Sequence, residues 1–598
     1  MCYRGRSLES EQPERVEARM QQRTMICAAG RALAHAAVVS AAVLLLGLGG
    51  LVVPLVPGQA PGSAPGSAPG SAWANGLTTG VAAAIEARLA EQSDRPRDAT
   101  EHEEFLALHR FYVERGYEPV WVAAEGLAAQ GRALATVLQN AWDNGLDPSD
   151  YDVGGIQALR QATGDEGRAQ LDLLLSRALL RYGGDLHSGR VEPGEVDGEL
   201  FVYPRDTDPH RLLAEATAAE DIGLYLATLA PDSREYRRLK HALSAYRALA
   251  RKGGWQALPG GETLKPGMSD PRVPLLRERL IQLGDLAPTI VAGELTLFYD
   301  DSLVQAVKQF QYRHGLEQDG AVGKQTLAAL NVPVEARIAQ MLLNMERRRW
   351  MAADRPGAYI FVNLADFVLK VVDGERTIFD TRVVVGTPYH RTPVFSGEMT
   401  YLELNPYWNV PPSIARKEIL PKIKQDVSYL AQQNMRVFSG WDGAASELDP
   451  TAINWLAVSP ASFPYKLRQD PGEGNALGRV KFMFPNRFNV YLHDTPSRAL
   501  FQRTVRSFSH GCIRVQHPQA LAKLLLRDDP DWTPERLKAA IASGERQVVT
   551  LSKPMPVYIT YLTAWVNKDG SVHFRDDIYG RDKRLAQALH LSASSMAQ

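Results

Sequence analysis

The sequence predicts a multidomain α+β protein, in which a helical scaffold and a three-helix module precede a mostly-β domain with a helical lid insertion. Three observations support this fold class. The chain has 598 residues, enough for about three or four domains. Apolar residues recur at helical spacing up to about residue 333, and strand-like runs dominate from about residue 358. A stretch at 412–476 interrupts those strands, as lids over binding grooves often do.

The overall composition excludes several classes of partner and cofactor. The chain is 45% hydrophobic and 23% charged, with a net charge of −1, which is ordinary for a globular protein. Because no long basic run is present to follow a phosphate backbone, we predict no nucleic-acid partner. The 13 histidines are scattered, and the spacing of His510, Cys512 and His517 lacks the repeated pairs of zinc sites. We therefore predict no metal and no cofactor.

The N-terminal segment indicates export from the cytoplasm. Six arginines precede an apolar stretch at 32–56 that is long enough to span a bilayer, and their excess places residues 1–31 in the cytoplasm. A flexible linker rich in Pro, Gly, Ser and Ala follows at 57–80. The run Ala72-Trp73-Ala74 also fits a signal cleavage site. The apolar stretch is thus either a signal anchor, which we favour, or a signal peptide that is removed near Ala74.

Two helical regions follow the linker. Residues 81–265 are interpreted as a helical scaffold, because Ala- and Leu-rich periodic stretches recur there and no chemistry concentrates in them. The pair Gly183-Gly184 is expected to end one of these helices. Residues 266–333 contain two amphipathic helices and a third short one. The aligned apolar positions of the two amphipathic helices are Leu276, Leu280, Leu283, Leu303, Val307 and Phe310.

Two motifs in the second helical region carry a resemblance. They are the run Ala306-Val307-Lys308-Gln309-Phe310-Gln311 and the pattern Gly315-Leu316-x-x-Asp319-Gly320-x-x-Gly323-x-x-Thr326. On these motifs the region resembles the small three-helix peptidoglycan-binding module. Such modules bind cell-wall glycopeptide weakly in some relatives and only pack structurally in others. A connector at 334–357 separates the module from the strands.

Strand-like sequence dominates residues 358–556, and further strands and a tail occupy 557–598. Runs of β-branched and aromatic residues flank turns such as Asp373-Gly374. Within the insertion, the stretch 467–476 is rich in glycine and charge and predicts a mobile loop. The predicted strands are 359–364, 367–372, 383–386, 480–484, 488–492, 547–551, 557–566 and 572–574.

One cysteine is the strongest functional signal of the exported part. The chain has three cysteines, and Cys2 and Cys27 lie in or before the apolar N-terminal segment. Cys512 therefore has no intramolecular partner, and a free thiol in an oxidising compartment is a liability unless it is buried or used. It ends the run Ser509-His510-Gly511-Cys512, a poor setting for a purely structural thiol. We interpret Cys512 as a nucleophile; the alternative is a buried core cysteine.

A thiol nucleophile needs a base or an electropositive setting. His493 ends a strand-like run 19 residues before Cys512, and a loop can bring the two together. His510 is the rival base, but side chains two apart in an extended segment rarely reach each other well. We therefore prefer His493.

The fragment from His493 to Cys512 resembles the signature of L,D-transpeptidases, the cysteine enzymes that cross-link bacterial peptidoglycan. Two further strings support the resemblance, Val384-Val-Gly386-x(5)-Thr392-Pro393-Val394-Phe395 and Asn405-Pro-Tyr-Trp408-Asn409-Val-Pro-Pro412. With the scaffold and the module included, the likeness to the large, lid-bearing members of Gram-negative bacteria covers almost all of residues 85–590. One position departs from many members, which have Asn where Arg514 stands, but the large members share this feature.

The resemblance implies a reaction. His493, oriented through the backbone carbonyl of Asp494, would take the proton of the Cys512 thiol, which would attack the third-residue carbonyl of a donor tetrapeptide stem. D-Alanine would leave, and the amine of an acceptor stem would resolve the thioester to give a 3–3 cross-link. The implied partners are both stem peptides, the cell wall and, through the N-terminal segment, the inner membrane. The exported part would lie in the periplasm, and a carbapenem is expected to label Cys512.

The resemblance also suggests roles for the surrounding residues. Backbone N–H groups around Gly511 would form an oxyanion hole, and Ser509 and His510 would shape the loop. Arg514 is expected either to bind a substrate carboxylate or to form a structural salt bridge. Trp408 and Tyr407 are candidates to line the groove, with core packing expected of one of them.

Other readings of the same residues are a cysteine L,D-carboxypeptidase or endopeptidase and a non-catalytic wall-anchoring protein. Papain-like peptidases place Cys before His in the chain, and sortases lack the Ser-His-Gly-Cys run. A paired His493 and Cys512 argues against a pure anchor, because an anchor has no use for a poised thiol.

Overall fold

A computed structural model describes residues 70–93, 98–288, 296–351 and 357–591. The predicted cytoplasmic segment 1–31 and the predicted membrane segment 32–56 lie outside the described residues, as do Cys2 and Cys27. The first described helix begins at Gly70, so the last part of the predicted linker is helical instead, propagated from the alanine-rich sequence that follows it. Among the described residues, no helix combines the length and apolar character needed to cross a bilayer.

The scaffold is a helical bundle around one long central helix. That helix, α5 (Asp165–His187), contributes Leu171, Leu175 and Leu179 to a core that also includes Tyr112 and Trp121. Two short strands form a hairpin beside it, and a third pairs with the sheet of the C-terminal domain. The helices are α1 (Gly70–Gln92), α2 (Ala99–Glu114), α3 (Ala129–Gln139), α4 (Val153–Leu159), α5 (Asp165–His187), α6 (Pro193–Val196), α7 (Pro209–Ala218), α8 (Ile222–Leu229) and α9 (Arg234–Arg251), and the strands are β1 (Val122–Ala123), β2 (Gly126–Leu127) and β3 (Leu200–Phe201).

The expectation that Gly183-Gly184 ends a helix is wrong, because α5 continues through both glycines to His187. The reason is packing between helices. A Cβ atom on Gly183 would lie 2.7 Å from Cδ1 of Leu212 on α7, so this position needs a residue without a side chain. Gly183 is therefore a close-approach site inside a helix.

The three-helix module contains α10 (Val273–Gln282), α11 (Asp301–Arg313) and α12 (Lys324–Leu330). The predicted apolar faces form its core, with Leu283 partly buried. The amide of Gln311 fixes the turn between the last two helices, since it donates to the Asp319 carboxylate at 2.7 Å and accepts from the Gly320 N–H at 2.9 Å. The connector then forms a buried helix, α13 (Val334–Arg349).

The C-terminal domain is built on a large sheet with the strand order β12-β13-β15-β6-β5-β4-β16-β7-β3. Strand β7 also pairs with β12, so the strands close into a ring around an apolar core. The strands of this domain outside the insertion are β4 (Ala358–Asn363), β5 (Val368–Asp373), β6 (Arg376–Gly386), β7 (Val394–Leu404), β12 (Val480–Met483), β13 (Leu492–His493), β14 (Ser507–Ser509), β15 (Ile513–Val515), β16 (Gln547–Thr560), β17 (Ala564–Val566) and β18 (Val572–Phe574), and its helices are α17 (Pro518–Leu525), α18 (Pro534–Ala542) and α19 (Arg581–Ala588).

The lid insertion, residues 412–476, contains helices and also a small sheet. Its strands and the preceding β8 form an antiparallel sheet in the order β10-β9-β11-β8, over a separate apolar core that includes Ile419, Val437 and Leu467. The elements are β8 (Trp408–Asn409), α14 (Pro412–Ile414), α15 (Leu420–Gln425), α16 (Ser428–Gln432), β9 (Met435–Phe438), β10 (Glu447–Leu448) and β11 (Lys466–Gln469).

Two local predictions in this domain are wrong. The stretch 467–476 does not begin as a loop, because its first residues belong to β11 and Leu467 is fully buried. The predicted strand 488–492 is reduced to its last residue, and only Leu492–His493 pair as a strand. The cause is a turn in which Asn486 accepts from the N–H groups of Phe488 and Val490.

Candidate active site

The register of three neighbouring strands sets the candidate site. Strands β13 and β15 are parallel, with Leu492 opposite Ile513 and His493 opposite Arg514. Leu492 and Ile513 are buried in the core, so the alternation of side chains directs His493 and Arg514 to the other face. Cys512 comes immediately before β15, and Ile513 donates its N–H to the Tyr491 carbonyl at 3.1 Å. The segment that carries the thiol is thus bound to the segment that carries His493.

His493 is buried, and its tautomer is set by a backbone contact. Nδ1 lies 2.5 Å from the carbonyl oxygen of Asp494, so it carries the proton and donates it. Burial, and secondarily the charge of Arg514, lower the pKa of His493 to about 3. The imidazole is therefore neutral at physiological pH, with Nε2 unprotonated.

The side chain of Asp494 is used elsewhere. Its carboxylate accepts from the N–H groups of Arg479 at 2.8 Å and Thr495 at 2.7 Å, and from the guanidinium of Arg498 at 2.6 Å. These contacts hold the turn after β13. The role available to Asp494 toward His493 is therefore that of its backbone carbonyl.

The Cys512 thiol is partly buried, and its sulfur lies 3.7 Å from the carbonyl oxygen of Asn489. Burial raises the pKa of Cys512, and hydrogen bonds from Tyr491, together with the charges of Lys481 and Arg514, act in the opposite direction. The thiol is therefore protonated at rest, in a setting with cationic neighbours that favour its ionised form.

Two residues near the thiol were not predicted. Lys481 is on β12, where it lies opposite His493 of β13 on one side and opposite Glu403 of β7 on the other. Its Nζ lies 3.7 Å from the Glu403 carboxylate. The same Nζ lies 4.2 Å from the centre of the Tyr491 ring, which in turn lies 5.7 Å from the ring of His493. Tyr491 could have been considered from the sequence, because it lies two residues before His493. Lys481 could not, because its position near the thiol depends on strand pairing.

The cysteine loop is held by hydroxyl groups. Ser509 Oγ donates to the Cys512 carbonyl and accepts the Gly511 N–H at 3.1 Å. Gly511 has a φ of +115°, which residues with a side chain rarely adopt. The Gly511 carbonyl accepts from the Thr392 hydroxyl at 2.8 Å. Ser509 thus bonds to two peptide groups of the loop that it was expected to shape, and the oxyanion-hole role of the backbone around Gly511 stays a prediction.

The His510 side chain contacts the lid insertion. Its Nε2 lies 2.6 Å from Oε1 of Glu418, in the π-helical turn Ala415–Ile419, and its ring packs on that of His390 at 4.8 Å between centroids. The geometry therefore favours His493 over His510 as the base.

A cleft of about 230 Å³ lies between the lid insertion and the sheet. Trp408 and Arg514 line it, together with Glu418, Lys422 and Tyr429 from the insertion. Tyr407 does not line it; the guanidinium of Arg468 covers the Tyr407 ring at 4.3 Å. Arg514 forms no salt bridge with any described residue, and its Nε is buried without a partner there. Across the described ranges, no group of three or more His, Cys, Asp or Glu residues is arranged to hold a metal ion.

Comparison with known proteins identifies three regions of the chain. Residues 106–243 match the scaffold domain, residues 269–330 the "Putative peptidoglycan binding domain", and residues 357–549 the L,D-transpeptidase catalytic domain. This combination defines a class of protein in which an L,D-transpeptidase catalytic domain follows a scaffold domain and a peptidoglycan-binding module. Residues 357–549, about a third of the chain, are thus similar to L,D-transpeptidase catalytic domains.

Individual relatives are less similar. A curated Haemophilus influenzae protein named "Putative L,D-transpeptidase" is 33% identical over 289 residues, which cover 48% of this chain and 57% of the relative. The chain thus spans little more than half the length of that relative. Among solved structures, an L,D-transpeptidase of Xylanimonas cellulosilytica is 16% identical, with a TM-score of 0.17 and coverage of 50% of this chain and 99% of that one. L,D-Transpeptidase 1 of Mycobacterium tuberculosis is 12% identical, with a TM-score of 0.13 and coverage of 34% and 61%. These low TM-scores add nothing to the fold assignment.

Proposed function

We propose that this protein is a peptidoglycan L,D-transpeptidase that forms 3–3 cross-links through a Cys512 thioester. The observation that carries the proposal is the Nδ1 contact of His493 with the Asp494 carbonyl. That contact leaves Nε2 of a neutral imidazole free to accept a proton. His493 lies on β13, which pairs with β15, the strand that begins directly after Cys512.

The acylation step follows from these groups. Nε2 of His493 takes the thiol proton as Sγ of Cys512 attacks the third-residue carbonyl carbon of the donor stem. The carbonyl oxygen becomes an oxyanion, and the Cys512 N–H, which has no acceptor among the described residues, is suited to stabilise it. The C–N bond to D-alanine then breaks, the imidazolium returns its proton to the leaving amine, and a thioester remains.

The second step uses the same groups in reverse. The side-chain amine of an acceptor stem attacks the thioester carbon, His493 takes a proton from that amine, and the thiol is restored as the C–S bond breaks. Water in place of the amine would give a carboxypeptidase instead. Residues of the lid insertion line the cleft beside Arg514, and exclusion of water from the thioester would favour transfer.

Arg514 supports recognition of a substrate carboxylate. It lines the cleft and has no carboxylate partner among the described residues, so the structural salt bridge considered as its alternative is not formed there. A guanidinium binds a carboxylate through two parallel hydrogen bonds, which suits the free carboxyl group of a tetrapeptide stem.

The wall-binding and transpeptidase domains imply a periplasmic-type location at the cell wall. We further propose attachment to the inner membrane through the apolar stretch at 32–56, on the sequence pattern given above. Fractionation of cells that express the full chain tests this: the anchor requires the protein in the membrane fraction at full length, and recovery as a soluble species cut near Ala74 contradicts it.

Incubation with purified disaccharide-tetrapeptides tests the function. A transpeptidase gives cross-linked dimers and free D-alanine, whereas a carboxypeptidase gives tripeptide monomers with no dimer. Cys512→Ala is expected to abolish both products and to retain co-sedimentation with sacculi. A carbapenem is expected to add its mass to the unmodified protein and not to this variant. An active Cys512→Ala protein would remove the cysteine mechanism.

A further inference from the structure

We infer that Thr392 is a positioning residue for the oxyanion hole, which it sets by holding the Gly511–Cys512 peptide group in one orientation. This inference rests on the proposed function, because it concerns the acylation step. Thr392 is fully buried, so it acts through the cysteine loop and not by contact with the substrate.

The direction of the hydrogen bonds at the Thr392 hydroxyl is fixed. The N–H of Gly386, at the end of β6, donates to Thr392 Oγ1 at 2.9 Å. A hydroxyl has one proton, and the Gly511 carbonyl oxygen lies 2.8 Å from the same Oγ1. The hydroxyl therefore accepts from Gly386 and donates to Gly511, which links the end of a core strand to the cysteine loop.

This contact determines the direction of the Cys512 N–H. The Gly511 carbonyl and the Cys512 N–H belong to one planar peptide group, and no cis peptide bond occurs in the described chain. In a trans peptide the C=O and N–H bonds point in opposite directions. Holding the carbonyl oxygen toward Thr392 thus turns the N–H away from the core, and Ser509, which bonds to the next carbonyl and to the Gly511 N–H, fixes the two neighbouring peptide groups.

The position of Thr392 is itself supported from the C-terminal segment. The Tyr579 hydroxyl donates to the Gly386 carbonyl at 2.7 Å, and the Thr392 N–H lies 3.4 Å from the same hydroxyl. The buried guanidinium of Arg581 donates to the Thr392 carbonyl at 3.3 Å. These contacts extend the support of the cysteine loop to residues that follow the end of the matched catalytic domain at 549.

The same guanidinium connects the loop to the scaffold. Arg581 is 1% exposed, and it contacts the carboxylates of Asp197 at 3.1 Å and Glu199 at 3.2 Å. Both acids come just before the scaffold strand β3, whose pairing with β7 begins at Val394, two residues after Thr392. The scaffold thereby contributes a buried counter-charge to the support of the oxyanion hole.

The test compares two chemistries of Cys512 in the full-length protein. Acylation by a carbapenem requires the oxyanion hole, and alkylation by iodoacetamide requires only a reactive thiol. Thr392→Val removes the hydroxyl at constant shape, Thr392→Ser retains it, and Thr381→Val is the matched control. Thr381 lies buried on β6, and its hydroxyl has no partner among the described residues.

We expect Thr392→Val to lower the acylation rate constant and the kcat for tetrapeptide by about tenfold or more, with KM and alkylation changed by about twofold or less. Thr392→Ser should keep acylation within about threefold of the unmodified protein, and Thr381→Val should match it. Equal loss of acylation and alkylation, or a Ser variant as poor as the Val variant, would overturn the positioning role.

A second variant covers the case in which Thr392→Val does not fold. Tyr579→Phe removes the hydroxyl that supports Gly386, and it should lower acylation while alkylation is retained; unchanged acylation contradicts the inference. An unmodified protein that is alkylated but never acylated overturns both this inference and the proposed function. Normal acylation of the unmodified protein and of Thr392→Val overturns the positioning role alone.

Discussion

His493 donates its Nδ1 proton to the carbonyl oxygen of Asp494, its own neighbour in the chain, at 2.5 Å. The orientation of the base is thus a property of the backbone turn after β13. In catalytic triads an acid side chain does this work, and its loss lowers kcat by about 10⁴-fold. Here the Asp494 carboxylate only holds the turn.

We therefore expect Asp494→Asn to lower kcat by about tenfold or less, because the carbonyl that orients His493 is retained. His493→Gln should lower kcat by about 10²-fold or more, the usual contribution of a general base. Steady-state release of D-alanine from tetrapeptide measures both. An Asp494→Asn loss as large as that of His493→Gln would mean that the carboxylate takes part in the chemistry.

The resting state of the thiol predicts a pH dependence. Burial raises the pKa of Cys512, so the thiolate is a minor species at neutral pH, and alkylation by iodoacetamide should rise about tenfold per pH unit between pH 7 and pH 9. Lys481→Met removes a cation that favours the thiolate and should slow alkylation at pH 8. Lys553→Met, at an exposed position, is the control. A rate that is already level at pH 7 would indicate a preformed thiolate.

Buried His493 also predicts a loss of stability in acid. Its pKa of about 3 in the folded protein lies below the value of about 6.5 in the unfolded chain, so only the unfolded state takes up this proton between those values. This contribution is complete above pH 6.5 and is lost as the pH falls toward 3. Urea unfolding at pH 6.5 and 5 should show a free energy of unfolding that falls more steeply in the unmodified protein than in His493→Gln, by about 1 kcal/mol per pH unit. Equal slopes would place the proton on the folded protein.

The contact between His510 and Glu418 predicts control of access to the thiol. Because it is a partly exposed pair joining the lid insertion to the cysteine loop, its loss should speed labelling of Cys512 by a bulky maleimide by about 1.5- to 5-fold. Glu418→Gln tests this, with Glu447→Gln as the control, since Glu447 pairs with Arg436 inside the same insertion. Equal rates in both variants would show that this pair does not hold the insertion.

Two adjacent glycines of α5 predict opposite effects on stability. Gly183→Ala places a methyl group 2.7 Å from Leu212 and should lower the free energy of unfolding by about 1–3 kcal/mol. Gly184→Ala meets nothing within 4 Å and should raise it by about 0.5–1 kcal/mol, because alanine is favoured in helices. Urea unfolding measures both, and a stabilising Gly183→Ala would show that α7 moves without cost.

Much of the fold could be predicted from local sequence patterns. The apolar faces of the module helices, the strands around Asp373-Gly374 and the helical scaffold each depend on residues close together in the chain, so periodicity was sufficient to predict them. The prediction that Gly183-Gly184 ends a helix was wrong, because Gly183 is needed to make room for Leu212 on another helix. The strand prediction at 488–492 was largely wrong, because the backbone hydrogen bonds that the Asn486 side chain accepts outweigh strand propensity.

The sequence alone determined the candidate chemistry, and only the tertiary structure decided what surrounds it. The sequence alone shows a lone exported thiol, an upstream histidine and the Ser-His-Gly-Cys run. The catalytic roles of Cys512 and His493 remain predictions on that basis. The contacts of Lys481, Thr392 and Arg581 could not be predicted from the sequence, since strand register and buried hydrogen bonds bring these residues together from distant parts of the chain. Such pairings depend on how the whole sheet closes, which no local pattern encodes.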